Sequence, residues 1–236
     1  MKPSWTLKRP SAERGRAHFG WLDSRHTFSF GEYHDPRHMG FRSLRVINED
    51  RVAGHGGFPS HPHRDMEIFS YVLSGRLEHQ DSLGHRRIIE PGQIQLMHAG
   101  HGVTHSECNP SPTEPTHFLQ VWILPRELGT DPGYTEWKPA AGQERADKVL
   151  IISPDGRGGS AEIRQDADVY RVRLAAGARV RHELRAGRGA WIQVVRGRMA
   201  IGDTQLDAGD GASTEAAGEW TISADTDAEA LLFDLA

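Results

Sequence analysis

The feature that most constrains this chain is a succession of short β-type segments, with no run of ten or more residues that keeps helical periodicity. Clusters of Gly, Pro, Asn or Asp bound each segment, which is typical of an all-β sandwich or barrel. Single helical turns are expected only at Arg126–Leu128 and Gln143–Asp147. The predicted strands are Thr27–Tyr33, Leu44–Asn48, Met66–Leu73, Arg86–Ile89, Ile94–His98, Val103–Cys108, Phe118–Leu124, Val149–Ser153, Val169–Leu174, Ala178–Leu184, Trp191–Val195, Met199–Leu206, Glu219–Ser223 and Ala230–Leu235.

These strands fall into two series that a loose internal repeat relates. The segment Phe69–Leu77 aligns with Trp191–Met199, although chance similarity between two hairpins would look the same. Between the series, Thr130–Gln143 contains Pro and Gly and little apolar periodicity. The sequence therefore predicts an N-terminal domain over residues 1–130, a linker over 131–143 and a C-terminal domain over 144–236.

Charge and cysteine content narrow the functional classes. Basic residues number 28 and acidic residues 32, for a net charge of −4, so no excess charge points to nucleic acid or a membrane surface. A single cysteine, Cys108, fits a reducing compartment. No apolar stretch of signal-peptide or membrane-span length occurs, and we expect a soluble cytoplasmic protein.

Histidine is concentrated in one half of the chain. Of the 14 histidines, all but His182 lie at or before His117. Histidine confined to one half predicts a site confined to that half.

Two segments carry the candidate chemistry. His61-Pro62-His63 is held extended by its proline, and residues i and i+2 of a strand share a face, about 6–7 Å apart. His105 and Glu107 repeat this spacing in a later strand. If the two strands face each other inside a barrel, three imidazoles and a carboxylate converge on a site suited to a first-row metal ion. Paired surface or core histidines are the plainer alternative.

The spacing leaves the carboxylate ligand open between Glu67 and Glu107 and mildly favours Glu107. The other acid would then orient a ligand imidazole. His98 and His101 are candidate pocket residues, with an exposed loop role equally consistent with their positions. His79 and His85 are interpreted as exposed hairpin positions.

At these residues the sequence resembles a known family. His61, His63, Glu67, Gly75, Pro91-Gly92 and His105 are close to the two motifs of the cupin superfamily. The longer segments resemble the pirin family, and its bacterial branch related to quercetin 2,3-dioxygenase is the nearest match. These segments are His18–Phe30, Tyr33–Pro36, Leu44–Asp50 and Gly57–Glu67.

The resemblance implies a bicupin of two tandem β-sandwich jelly-roll barrels, with one metal ion in the N-terminal barrel and a degenerate C-terminal barrel without metal. It implies His61, His63, His105 and Glu107 as ligands, and Glu67 as a group behind them. The metal expected from the family is Fe(II), with Cu, Ni, Co, Mn or Zn as alternatives.

The function expected on this basis is a metal-dependent dioxygenase that opens the flavonol ring of quercetin-like substrates with O2 and releases CO. Glu107 is the expected catalytic base, since a carboxylate at this reach can accept the substrate's hydroxyl proton. The alternative is a non-enzymatic, iron-dependent redox sensor of the pirin type that binds a protein partner. A third possibility is an oxygenase or isomerase for another small aromatic compound or a sugar.

Overall fold

The structure, a computed structural model, describes residues 7–236. The first six residues of the predicted N-terminal domain therefore lie outside the described residues. They also begin the N-terminal segment in which no signal peptide is expected. Almost all regular secondary structure of the described chain is β-strand, and the predicted fold class is confirmed. Its strands are β1 (Leu7–Arg9), β2 (Gly15–His18), β3 (Leu22–His26), β4 (Leu44–Val52), β5 (Gly57–His63), β6 (Glu67–Ser74), β7 (Leu77–Asp81), β8 (Arg86–Ile89), β9 (Ile94–His98), β10 (Val103–Cys108), β11 (Thr116–Ile123), β12 (Gly133–Trp137), β13 (Lys148–Ser153), β14 (Ala161–Glu162), β15 (Ala167–Leu174), β16 (Arg179–Leu184), β17 (Gly189–Arg196), β18 (Arg198–Ile201), β19 (Thr204–Asp207), β20 (Gly211–Thr214), β21 (Gly218–Ala224) and β22 (Ala228–Leu235).

Helix is confined to 3-10 turns among the described residues. They lie at Ser11–Glu13, Gln143–Arg145 and Arg157–Gly159. None of these helices is long and apolar enough to cross a membrane.

The chain divides into two compact units. The first barrel comprises Gly15–Pro139 together with Ala161–Gln165. The second barrel comprises Ala140–Ser160, Asp166–Ala236 and the described residues up to Arg14. Strand β12 lies within the segment 131–143 that the sequence predicts as a linker, and it pairs with β9 of the first barrel. Strand β1 pairs with β20 of the second barrel, so the N-terminal strand does not belong to the first barrel.

The first barrel is built from two antiparallel sheets. The larger has the order β12–β9–β6–β11–β4–β3–β2 and the smaller the order β5–β10–β7–β8. Buried side chains such as Val72, Leu77 and Phe118 form one apolar cluster, and Ile68 and Met97 belong to another. Alternation along the strands sends these side chains inward.

The second barrel repeats this arrangement. Its larger sheet runs β1–β20–β17–β22–β15–β13, and its smaller sheet has the order β16–β21–β18–β19. The hairpins β6–β7 and β17–β18 both turn at a glycine with positive φ, 74° at Gly75 and 72° at Gly197. A Cβ at Gly197 would overlap the Asp227 carbonyl oxygen, so the turn requires glycine for space as well as for conformation.

The predicted strand Thr27–Tyr33 is wrong. Strand β3 ends at His26, and the chain then turns through Gly31, whose φ is 56°. Ser29 stabilises the turned conformation, because its hydroxyl donates to the Asp35 carbonyl and accepts from the Asp35 N–H, both at 2.9 Å. The aromatic residues that suggested a strand therefore lie in a loop.

Candidate metal centre and adjoining cavity

Strands β5 and β10 bring three histidines together. The antiparallel register sets His61 opposite His105 and His63 opposite Val103. His63 shares a strand face with His61, so its ring reaches the same point. The ring centroids of His61 and His105 are 4.5 Å apart, and those of His63 and His105 are 4.9 Å apart. One ring nitrogen from each histidine lies within 4.8 Å of the others. We call these three residues the imidazole cluster.

The electrostatics favour neutral rings at His63 and His105. Burial, followed by the neighbouring His105 and His61, lowers the pKa of His63 to about 4. Burial, followed by His61 and His79, likewise lowers the pKa of His105 to about 3. Both rings are therefore unprotonated at neutral pH, which is the form that binds a metal ion.

Glu107 lies behind the cluster, completely buried. Ser70 Oγ and Gln95 Nε2 donate to its Oε1 at 2.7 and 3.0 Å, and Gln120 Nε2 donates to its Oε2. The structure groups Glu107 with His105 and His79 within 4.8 Å, rather than with His61 and His63. These hydrogen bonds fix the direction of the carboxylate.

Glu67, the other candidate carboxylate, has different partners. Its Oε2 accepts from His98 Nδ1 at 2.6 Å and from the Arg164 N–H at 3.0 Å. His98 is thus engaged with Glu67. His101 lies at the surface, where its Nε2 is 3.6 Å from a carboxylate oxygen of Asp131.

His79 is the ligand-type residue that sequence reasoning missed. The interpretation of His79 as an exposed hairpin position is wrong, because its side chain is fully buried on β7, directly opposite Glu107. Its Nδ1 lies 3.4 Å from His105 Nδ1, and its Nε2 lies 3.3 Å from Asp81 Oδ2. The i, i+2 spacing of His79 and Asp81 was the available signal. His85 is partly exposed and contacts Asp81 at 2.9 Å.

Asp81 accepts these contacts as an anion. Burial alone raises its pKa, but hydrogen bonds from the His85 backbone, the His85 ring and His79 outweigh burial and leave the pKa below its usual value. An ionised Asp81 can only accept a hydrogen bond, which fixes the proton of His79 on Nε2.

The tautomers fit a cation. His61 Nδ1 donates to the Pro59 carbonyl at 2.7 Å, so neutral His61 presents a lone pair at Nε2. With its proton on Nε2, His79 accepts at Nδ1 from His105 Nδ1, and neutral His105 then also presents a lone pair at Nε2. These two Nε2 atoms face each other at 3.1 Å. A metal ion stabilises facing lone pairs, whereas a hydrogen bond requires a proton on one of them, so the residues fit such an ion.

A cavity of about 800 Å³ adjoins the imidazole cluster, and His61 and His63 form part of its wall. An aromatic wall contains Phe30, Phe58 and Trp122, with Trp122 packed edge-on against His63 at 4.9 Å. Glu107, His98 and His101 are not among the residues that line this cavity. Another part of the wall is polar and contains Ser24, His26, Asn48, Asp50 and Gln120.

The polar wall follows from strand register. Neighbouring inward positions on five adjacent strands form a line, which we call the polar row. Three of its members donate to Glu107, and His26 Nδ1 donates to Asn48 Oδ1 at 2.8 Å. The row therefore runs from the buried carboxylate to the cavity. Its members are Gln95, Ser70, Gln120, Asn48 and His26.

Two family models match this chain. The model described as Pirin matches residues 8–123, and the model described as Quercetinase C-terminal cupin domain matches residues 150–235. Together they span both barrels.

Similar proteins agree with these matches. The chain is 47% identical to a quercetin 2,3-dioxygenase of Escherichia coli K12, over 96% of this chain and 97% of the relative. It is 39% identical to a putative quercetin 2,3-dioxygenase of Pseudomonas aeruginosa, over 97% and 99% of the two chains. The crystal structure of the bacterial pirin YhhW from Escherichia coli in complex with nickel(II) superposes with a TM-score of 0.92 at 46% identity, covering 97% of this chain and 98% of that one.

Proposed function

The chain belongs to the pirin family of the cupin superfamily, and we propose that it is a metal-dependent dioxygenase that opens the flavonol ring of quercetin-like substrates with O2 and releases CO. The observation that carries this proposal is the imidazole cluster with its facing lone pairs, two of whose histidines, His61 and His63, line a cavity large enough for a small aromatic molecule.

We propose His61, His63, His105 and Glu107 as the protein ligands. Imidazole and carboxylate donors suit first-row divalent ions, and we propose Fe(II), with Ni, Cu, Co, Mn or Zn as alternatives. The nickel complex of the Escherichia coli pirin supports a divalent ion in this fold. When bound, such an ion supplies Lewis acidity that makes a flavonol hydroxyl easier to ionise.

The protein's own side chains bind and orient the substrate. Phe30, Phe58 and Trp122 form an apolar face for a flat ring system and exclude water from it. We propose that Glu107 accepts the substrate's hydroxyl proton. Gln120 donates to Glu107 Oε2 and itself lines the cavity, so the carboxylate is one side chain away from the substrate.

The test is aerobic turnover of quercetin by protein loaded with Fe(II), with O2 consumption and CO release measured together. We expect one O2 consumed for each CO released, and we expect H61A and E107A to lose both bound metal and turnover. H101A is the matched control, since His101 lies at the surface and outside the cavity wall.

Two outcomes would contradict the proposal. Loss of metal from H61A with full retention of turnover would place the chemistry elsewhere. Quercetin left unchanged by protein with a full complement of each candidate metal would remove quercetin-like flavonols as the substrate class.

A further inference from the structure

Asp50 is a buried acid in the cavity wall that the proposed reaction does not use. It lies on β4, opposite Ser24 on β3 and Phe118 on β11, and its side chain is 2% exposed. The wall of the cavity includes Asp50 and Ser24.

The hydrogen bonding of Asp50 is incomplete. The Ser24 side chain forms a hydrogen bond with the carboxyl group. Oδ1 is buried and has no hydrogen-bond partner among residues 7–236. A buried carboxyl oxygen without a donor is unfavourable, so a group that brings a donor into the cavity is favoured at this point.

Two neighbouring polar side chains of this wall already have hydrogen-bond partners. Asn48 Oδ1 accepts from His26, and Gln120 Nε2 donates to Glu107. Asp50 Oδ1 differs from these atoms because it is buried beside the cavity and has no partner among the described residues.

We propose that Asp50 determines substrate specificity: its Oδ1 accepts a hydrogen bond from a phenolic hydroxyl of a flat aromatic ligand that lies against Phe30 and Trp122. This inference rests on the proposed function for the substrate class, and it adds the residue that reads one hydroxyl of that substrate.

Burial raises the pKa of Asp50 to about 7. The negative charges of Glu107 and Glu49 also raise this pKa, whereas the hydrogen bond from Ser24 lowers it. The Asp50 oxygens accept a hydrogen bond in either protonation state, so recognition does not depend on ionisation.

The experiment measures flavonol binding without O2, so that no turnover occurs. Full-length protein loaded with Ni(II) is titrated with four flavonols that differ in single hydroxyls: quercetin, kaempferol, galangin and fisetin. For the wild type we expect one step in the series to weaken binding about 10- to 100-fold, as for the loss of a hydrogen bond to a carboxyl group.

D50A is expected to bind all four flavonols with nearly equal Kd, whereas D50N is expected to keep part of the discrimination because its amide oxygen still accepts. The matched control is E49Q, since Glu49 is the neighbouring acid on β4, is absent from the cavity wall, and pairs with Arg51 and His117. E49Q should keep the wild-type pattern, and nickel content and thermal unfolding establish that each variant is folded.

Wild-type discrimination retained in both D50A and D50N would overturn the inference, as would a wild type that binds the four flavonols equally or binds none. Should D50A fail to fold, D50N carries the test, and full wild-type discrimination in D50N overturns the inference as well. Discrimination that depends on Asp50 without any aerobic turnover would contradict the proposed dioxygenase activity while supporting this inference.

Discussion

The two barrels have the same strand order and different interiors. The equivalence of positions follows from the hairpin glycines Gly75 and Gly197 and from the register of the neighbouring strands. Where the first barrel places the central part of its polar row, the second has apolar side chains that belong to one buried cluster. The matched pairs are Gln95 and Ala212, Ser70 and Ile192, and Gln120 and Leu232.

The strands that carry the imidazole cluster differ from their counterparts in the same way. Counting along β10 and β21 from their pairings with β7 and β18 places Trp220 at the position of His105 and Ile222 at that of Glu107. His182 takes the position of His61, opposite Trp220, but its Nε2 contacts Asp234 at 3.0 Å. The comparison teaches that this topology folds around either interior, so function resides in the inward side chains and not in the fold.

The largest effect should come from the proposed ligand positions and their counterparts in the second barrel. H105A removes an imidazole from the cluster, and we expect the protein to lose its bound metal and at least about 100-fold in turnover, because even groups behind metal ligands cost 10- to 100-fold. Metal content and initial rate are the measurements. H182A should keep both at the wild-type level, since His182 lies in the second barrel. Equal metal loss in the two variants would contradict the contrast between the barrels.

The interior of the second barrel can be tested by giving it a residue of the first. L232Q places an amide where Leu232, fully buried, packs among apolar side chains. The lost apolar burial and the unpaired amide should lower the free energy of unfolding by about 3–5 kcal/mol. Urea unfolding measures this difference.

L232M, which conserves volume, is the control and should cost less than about 1.5 kcal/mol. If L232Q proved as stable as L232M, the second barrel would tolerate a polar interior. Stability would then not require apolar residues at the positions that match the polar row.

The difference between the barrels also decides what the sequence could predict. Apolar alternation predicts most strands of the second barrel. In the first, polar residues that point inward interrupt the pattern: β4 continues to Val52 through Asn48, Glu49 and Asp50, which are all buried. Asn-Glu-Asp is typical of a turn, so the strand was predicted to end too early and Asp50 was missed.

The sequence could predict only part of the candidate site. The i, i+2 spacing placed His61 and His63 on one face, and the structure brings them together with His105. His79 was missed because β7 is largely polar in sequence and was not predicted as a strand. Residues that bind Glu107 come from three strands distant in sequence, and single-sequence patterns do not contain that register.

Asp50 and the buried Val172 occupy matching positions in the first and second barrels. Only Asp50 can ionise, so only the first barrel should have a pH-dependent stability at this position. Burial raises the pKa of Asp50 from 3.8 to about 7, so folded protein holds the proton more tightly than unfolded protein. The contribution of Asp50 to stability is therefore complete below about pH 4 and is lost as the pH rises to 7. Between pH 5 and pH 8, metal-free D50N should gain about 2–3 kcal/mol over the wild type.

Urea unfolding of chelated protein at the two pH values measures this gain. E49Q serves as the control for removing a neighbouring acid from the same strand. A constant difference between D50N and the wild type at both pH values would show that Asp50 ionises in the folded protein as readily as in the unfolded chain.

The smallest effect concerns the polar row itself. Q120L gives the first barrel the leucine of position 232 and removes the donor to Glu107 Oε2, so the carboxylate loses its fixed orientation and metal affinity should fall about 10- to 100-fold. Q95L is the matched variant, because Oε1 keeps the hydrogen bond from Ser70 at 2.7 Å when Gln95 is removed, and its loss of affinity should be smaller. Competition against a chelator of known affinity measures both. Wild-type metal affinity in both variants would mean that the polar row does not orient Glu107. The apolar residues at the matching positions of the second barrel would then have no bearing on metal binding.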